Sequence, residues 1–395
     1  MKYVPLHVHS EYSLLDGLSQ TSQISSRIQD IETDACALTD HGTVSGAVDF
    51  CKTLNGKSQK PILGCEFYLC MEDATIQSPQ NRELVHQVIL AKNLDGWRDI
   101  LNLVSQSNRS EQFYYKPRID FNQLKEIASH GNLVSFSGHL GSYLGNVALE
   151  NRPDSFIAHA ALRLQDIFGK GNFFIEIQLI DSNNNEESRI AAERLRQISV
   201  QTDIPCVGTP DAHYPTMETA EDQRVLLCTA MRKTIGQVHR ELKSGKSKSL
   251  KPFFSSDNFY IPTYSEMLQY HTEEELQNTV LISDMCQSYD ILGPPNPPDF
   301  RTPDRFNPRD YLRHLCKIGW AEKMKHIPKG ASEFARYGER VQKELQIFEE
   351  AQLSSYFLIV QDILKFCRQQ GYLTGPGRGS AAGCMVSYLL GITQI

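Results

Sequence analysis

Over roughly its first 240 residues the chain alternates short apolar runs with stretches whose apolar residues fall three or four apart. The runs cover 3–8, 35–39, 61–69, 85–91, 132–136, 172–179 and 205–208. Between them, Ile24, Ile28 and Ile31, or Ile190, Leu195 and Ile198 behind an acid-led start, would share one helix face. Strand and helix in alternation predict a mostly parallel sheet, because parallel neighbours need a crossover long enough to hold a helix. Seven such units can close into a distorted seven-stranded (β/α) barrel. A barrel of that kind collects its chemistry at the C-terminal ends of its strands. The expected fold class is α/β.

The residues at those ends are metal-ligand types. His7 and His9 sit two apart on one predicted strand, so both side chains leave the same face and can chelate one ion. Asp211 and His213 repeat the spacing at the last strand. Asp40 and His41 precede Gly42 on a predicted tight turn, where the imidazole can bind and the carboxylate can orient its neighbours. Asp16, Glu66, His86 and His139 complete the candidates, with Glu66 able to bridge two ions. His9, His41, Glu66, His139 and His213 fall at or near the C-terminal ends of their runs. His86 stands at the front of its run, which the parallel-barrel rule does not explain. Imidazoles and carboxylates together suit up to three divalent ions such as Zn, Mn or Fe. Two ions about 3.5 to 4 Å apart clamp the attacking and leaving oxygens of a phosphoester and acidify a bound water. Phosphoester hydrolysis is the implied reaction. Activity is expected to fall as pH drops through about 6, because imidazole must be neutral to bind metal. His130, His159, His239, His271, His314 and His326 are read as ordinary core or surface histidines.

Composition narrows the setting. A chain of 395 residues suffices for roughly two or three domains. Its ten cysteines include no Cys-x-x-Cys pair, which argues against a zinc ribbon or disulfide framework and for a reducing, cytoplasmic setting. No apolar stretch approaches a spanning helix and the start lacks a signal-peptide pattern, so no membrane partner is expected. A net charge of −7 leaves nucleic acid open only as the partner of a local basic surface.

Beyond residue 240 the punctuation changes. Residues 243–258 (KSGKSKSLKPFFSSDN) read as an exposed loop. Residues 293–308 carry six prolines and read as a connector. Helical patterns follow, with Tyr337, Val341, Leu345 and Phe348 on one face. Near the end, residues 375–383 (GPGRGSAAG) offer glycines for close backbone approach to a phosphate and Arg378 for gripping its oxygens. A glycine-rich entry turn to the next helix explains the same residues equally well. The run is neither a Walker loop nor a dinucleotide fingerprint.

Taken together, LHVHSEYSLLDG (6–17), LTDHGTVSGAVDF (38–50), GCEFYL (64–69), FYYKPRID (113–120), TPDAHY (209–214), YFLIVQDIL and GPGRGSAAG resemble the N-terminal part of the bacterial DNA polymerase III alpha-subunit family, the C-family replicative polymerases. The resemblance implies a polymerase-and-histidinol-phosphatase (PHP) domain over residues 1–275, then over 276–395 a mostly helical, incomplete start of a nucleotidyltransferase palm. It places the metal ligands on His7, His9, Asp16, His41, Glu66, His86, His139, Asp211 and His213. Many relatives have cysteine where His139 stands. Complete ligand sets in the family accompany 3′-5′ exonuclease activity, in which His7, His9, Asp211 and His213 would be central. Gly377, Arg378, Gly379 and Ser380 would hold the triphosphate of an incoming nucleotide. Lys116 and Arg118 are candidates for DNA phosphate contacts, and an ordinary surface turn explains Lys116-Pro117-Arg118 equally well. The family's catalytic Asp-x-Asp is absent from these residues, so the chain as it stands is expected not to polymerise, and Mg for that step belongs to the longer protein. Expected partners are primer-template DNA at its 3′ end, the rest of the polymerase, and a sliding clamp reached through later regions. Two alternatives remain: an inert PHP scaffold docking a separate proofreading exonuclease subunit, and a phosphatase of the histidinol-phosphatase kind.

Overall fold

The computed structural model describes residues 2–150, 152–181, 186–245, 251–294, 296–303 and 305–394. They divide into two compact units, residues 2–292 and 293–394.

In the first unit the strands are β1 (Ala35–Leu38), β2 (Lys60–Cys70), β3 (Leu84–Ala91), β4 (Ile119–Asp120), β5 (Leu133–Phe136), β6 (Phe173–Ile177) and β7 (Cys206–Gly208). Their order is β1-β2-β3-β5-β6-β7, with β4 paired to the end of β2. Helices α1 (Thr21–Asp30), α2 (Ala47–Asn55), α3 (Leu94–Ser107), α4 (Phe121–Ala128), α5 (Tyr143–Leu149), α6 (Asp154–Phe168) and α7 (Glu186–Thr202) alternate with them. After β7 come α8 (Ala220–Met231), α9 (Ile235–Lys243), α10 (Lys251–Ser255), α11 (Tyr264–Met267) and α12 (Glu273–Met285).

Two expectations change in detail. First, the sheet is mixed: β3 runs antiparallel to both β2 and β5. Second, residues 3–8 do not form a regular strand. Pro5 has no N–H to donate, and the Val8 N–H goes to the Thr39 hydroxyl (3.0 Å). The segment still bonds to both edges of the sheet. Ala37 N donates to Pro5 O (2.8 Å) and Thr39 N to Val8 O (2.9 Å) on one side; Ala212 N donates to His7 O (3.0 Å) and His9 N to Ala212 O (2.8 Å) on the other. The sheet therefore curls around the N-terminal segment, which fills the place expected for one of seven strands. Ile119–Asp120, with only two residues, carried no run long enough to announce a strand.

Side-chain alternation gives the curled sheet two faces. Cys36, Leu38, Leu63, Cys65, Phe67, Ile89, Leu133, Phe173 and Ile175 face the helices in the larger core. Ala35, Ala37, Ile62, Val88, Leu90, Val134, Phe136, Phe174 and Val207 face inward, joined by Leu6 and by Ile282 and Cys286 from the end of α12. Glu66, His86 and Glu176 lie on that inner face, two or four residues along from Ile62, Val88 and Phe174. One end of the interior is thus apolar and covered by α12, and the other carries the polar chemistry. A boundary at 275/276 would cut α12 in two. Its buried Leu276, Thr279 and Ile282 belong to the first unit, which ends at Leu292.

Lys246 and Lys248 of the lysine-rich stretch lie outside the described residues; Lys251–Ser255, expected as loop, is a short helix.

The second unit is helical: α13 (Pro308–Lys323), α14 (Ser332–Glu350), α15 (Ser354–Gln369), a 3-10 turn (Gly379–Gly383) and α16 (Met385–Leu389). Asn307 caps α13 through Asp310 N (2.9 Å), with Pro308 at the first helical position. Leu312, Cys316, Val341, Leu345, Phe348, Leu358, Val386 and Leu389 form its core. Gly319 is required where α13 meets α16, since a Cβ there would stand 2.0 Å from Leu389 O. Buried Glu344 accepts the Val386 N–H (2.9 Å) and so anchors the start of α16.

Candidate metal centre

All nine expected ligands converge at the polar end of the curled sheet. The antiparallel direction of β3 accounts for His86: the start of β3 lies beside the end of β2, with His86 opposite Tyr68. Glu66 is the hub. Its carboxylate lies within 3.4 Å of five imidazoles: His7 Nε2 (3.4 Å), His9 Nε2 (3.2 Å), His41 Nδ1 (2.8 Å), His86 Nδ1 (2.8 Å) and His139 Nε2 (3.1 Å). Asp211 Oδ1 approaches His7 Nε2 (3.3 Å) and His9 Nε2 (3.1 Å), while Asp16 Oδ2 approaches His41 Nε2 (3.2 Å). Three groupings hold their donor atoms within 4.8 Å of one another: His9 with His41 and His213, His7 with His9 and Asp211, and His41 with Glu66 and His86.

The backbone builds this mouth under constraint. Asp211 has φ +47°, a left-handed conformation costly for a residue with a Cβ. Ser10 N (2.7 Å), Ser10 Oγ (2.8 Å) and Ser13 Oγ (2.6 Å) all donate to Asp40, which pins the turn following His9. Asp40 therefore orients ligands, as its place before His41 suggested.

Outer hydrogen bonds fix the rings. His7 Nδ1–H donates to Glu176 (2.7 Å), His9 Nδ1–H to Ser13 Oγ (3.2 Å), and His213 Nδ1–H to Asp211 O (2.9 Å). Each arrangement leaves Nε2 facing the centre, where it would turn a lone pair to a bound ion once its own proton is lost. Glu176 is in turn held by Thr209 Oγ1, and Gln178 Nε2 donates to Asp211 Oδ2 (2.8 Å). Sequence reasoning missed Glu176 and Gln178. The available signal was a carboxylate on the inner face of run 172–179, in phase with Phe174. His139 differs from the other histidines: its Nδ1 accepts the Gly141 N–H (2.8 Å), so its proton lies on Nε2, facing Glu66 and His86. It joins none of the three groupings.

The electrostatics suit cations. Burial alone would lower the His7 imidazole, but Asp211, Glu176 and Glu66 hold it well above its usual value. Burial also opposes charge on His41, yet Glu66 and Asp16 raise it to about 10. Burial dominates at His86 and His213, each lowered to about 4 despite Glu66 and Asp211 respectively. Burial would raise Glu66 and Asp211; the surrounding imidazoles instead hold both well below the carboxylate range. His7 Nε2 and His41 Nδ1 are buried at ion-pair distance from the buried Glu66 Oε2 without forming a well-directed hydrogen bond, and Asp16 Oδ1 is likewise buried without one. Such atoms, facing one another, are what bound cations would satisfy. The residues present fit divalent metal ions.

Two other expectations separate here. Lys116 lies at the rim, its Nζ 4.1 Å over the ring of Tyr68, which stacks on His41 (5.9 Å) and meets His86 edge-on (4.9 Å). Arg118 is fully buried. Its guanidinium donates to the carbonyls of Ala74 (3.1 Å), Gln112 (3.0 Å), Asn81 (2.7 Å) and Ile76 (2.8 Å), so the structure corrects its expected contact with DNA phosphate. It ties together the loops flanking the centre. Gly377, Arg378, Gly379 and Ser380 are exposed in the second unit.

The PHP domain model matches residues 5–179, and the model described as the bacterial DNA polymerase III alpha NTPase domain matches residues 310–395. DNA polymerase III subunit alpha of Treponema pallidum (strain Nichols) is 33% identical over 400 residues, covering 100% of this chain and 32% of that protein. The chain belongs to the DNA polymerase III alpha-subunit family. The same subunit of Borreliella burgdorferi is 32% identical over 100% of this chain and 33% of its own length. The chain spans about a third of the length of these curated relatives. Among solved structures, an amidohydrolase from Chromobacterium violaceum with bound SO4 and no metal aligns over 54% of this chain and 88% of its own, at 14% identity and a TM-score of 0.36. No helix among the described residues is long and apolar enough to cross a membrane.

Proposed function

We propose that this is the PHP-bearing region of a replicative DNA polymerase, and that its buried centre is a metal-dependent 3′-5′ exonuclease removing mismatched terminal nucleotides. The observation that carries the reading is the complete ligand set, with Glu66 amid five imidazoles and unpartnered donor atoms turned inward. His7, His9, Asp16, His41, Glu66, His86, Asp211 and His213 would hold up to three divalent ions of the Zn, Mn or Fe type, with His139 joining only if its ring exchanges its present hydrogen bonds. When bound, such ions acidify water and neutralise charge on the phosphate. The chain's own residues do the rest. Glu176 and Ser13 keep His7 and His9 in the tautomer with Nε2 inward. His139 holds a proton on Nε2 at the centre, within reach of an anionic oxygen. Lys116 offers a cation at the rim for a DNA phosphate.

The match of residues 310–395 supports a second assignment for the longer protein: Gly377, Arg378, Gly379 and Ser380 contact the triphosphate of an incoming nucleotide, with Mg supporting that chemistry. The primer-template 3′ end is the implied partner of both units.

The test is metal analysis of the chain together with hydrolysis of a 3′-mismatched primer and of a phosphate monoester, repeated with His7→Ala and Asp211→Ala. Loss of metal and of DNA degradation in both variants is expected. Metal-free, inactive wild-type protein would favour the inert scaffold, and turnover of the monoester alone would favour a small-molecule phosphatase.

A further inference from the structure

Tyr115 is an aromatic side chain that remains 66% exposed, on a backbone at φ +64°. A left-handed conformation is costly at a residue with a Cβ, and here no burial of the ring offsets it. The loop is nevertheless rigidly held. Gln77 Nε2 donates to the carbonyls of Ser110 (2.8 Å), Glu111 (3.0 Å) and Phe113 (3.3 Å), and buried Arg118 binds that of Gln112 (3.0 Å). Tyr114 meets the Tyr115 ring edge-on at 4.7 Å, and the Arg82 guanidinium lies 4.3 Å over it.

The loop also leans on the metal centre. Lys116 reaches across Tyr68, which touches His41 and His86. Pro117 packs so closely over Gly42, the residue after His41, that a Cβ there would stand 2.9 Å from Pro117 Cγ. An exposed ring with a guanidinium on one face, followed by a lysine and a proline that pack on Tyr68 and Gly42 beside the candidate centre, matches the chemistry of single-stranded DNA. Bases stack on aromatic and guanidinium planes, and the cations pair with the flanking phosphates.

We propose that Tyr115, backed by Arg82, is a stacking site for an unpaired nucleobase at the DNA end presented to the centre. This rests on the phosphodiesterase reading above. Because the loop is already ordered, little conformational entropy is lost when a base lands on it.

The test is direct binding of a fluorescent single-stranded oligonucleotide to the full chain in EDTA, where no hydrolysis intervenes. Wild type is compared with Tyr115→Ala, Tyr115→Trp and Arg82→Ala, using an intact oligonucleotide and one whose 3′-terminal nucleotide lacks its base. Tyr115→Ala should weaken binding of the intact oligonucleotide about fivefold to a hundredfold, the range of base–aromatic stacking, and Tyr115→Trp should retain it. Removing the terminal base should weaken binding to wild type but add nothing to the loss in Tyr115→Ala. Unchanged binding by Tyr115→Ala, losses that add, or no binding by wild type would each overturn the proposal. A chain that binds as expected but never hydrolyses DNA when loaded with metal would instead sink the nuclease reading alone.

Discussion

In the first unit nine ionisable side chains from separate stretches of chain meet in a buried or half-buried cluster, each oriented by a hydrogen bond or a neighbouring charge. In the second unit Gly377, Arg378, Gly379 and Ser380 are exposed in one continuous stretch that runs into the 3-10 turn ahead of a helix of only five residues. The contrast teaches that a short motif and a convergent site are different kinds of evidence. The loop is read from adjacent letters. The centre exists only because curling of the sheet brings residues 7 and 213 together, and its desolvated charges make it the more sensitive to single changes.

Glu66→Ala should have the largest effect, since it leaves five imidazoles without their shared carboxylate. Metal affinity is expected to fall by more than about 100-fold, beyond the loss typical of an outer orienting residue; metal content after dialysis measures it. Metal retained at wild-type stoichiometry would deny Glu66 its place as hub. Arg118→Ala should cost about 3 kcal/mol of stability, because four carbonyls lose their donor at a buried site. Denaturant unfolding would reveal it, and a loss confined to DNA affinity would restore Arg118 as a phosphate contact. Glu176→Ala should weaken metal binding roughly 10- to 100-fold by freeing the His7 ring, with Glu176→Gln recovering part of the loss. Titration with a competing chelator distinguishes the two.

The pH response sharpens the same comparison. In the metal-free chain His86 and His213 are lowered to about 4, so their contribution to stability is complete above about 6.5 and is lost as pH falls toward 4. His41 is raised to about 10; its contribution is complete below about 6.5 and is lost as pH rises through 10. The metal-free Tm should therefore peak near pH 6.5 and drop by several degrees on either side. Metal must displace the His41 proton, so apparent metal affinity should keep rising with pH from 6.5 toward 10. The loss of activity expected below about pH 6 then becomes the lower part of a wider dependence. Arg378→Ala, on the exposed loop, should change stability by no more than about 0.5 kcal/mol and leave metal content untouched. A larger shift in unfolding would mean that the loop is built into its unit.

Much of the fold was legible because strand and helix periods differ. The runs at 35–39, 61–69 and 85–91 became β1, β2 and β3, and the stripe through Val341, Leu345 and Phe348 became the buried face of α14. The strand Ile119–Asp120 is too short to carry a period. The irregularity at 3–8 follows from Pro5, whose missing N–H the apolar pattern did not weigh. Arg118 was misread because a cation beside a lysine and a proline resembles a surface contact, and only packing reveals four carbonyls around it.

The sequence by itself determined the residue types and local spacings: His7 with His9, Asp211 with His213, alternating elements, and glycines where backbone must turn. These follow from local sterics and periodicity, which act over a few residues. Tertiary structure alone decided that β3 runs against its neighbours and so brings His86 to the mouth, that Glu66 stands amid five imidazoles, and that Glu176 sets the His7 tautomer. Strand direction and pairing are settled by burial and hydrogen bonding between segments far apart in the chain, and no local pattern encodes those energies.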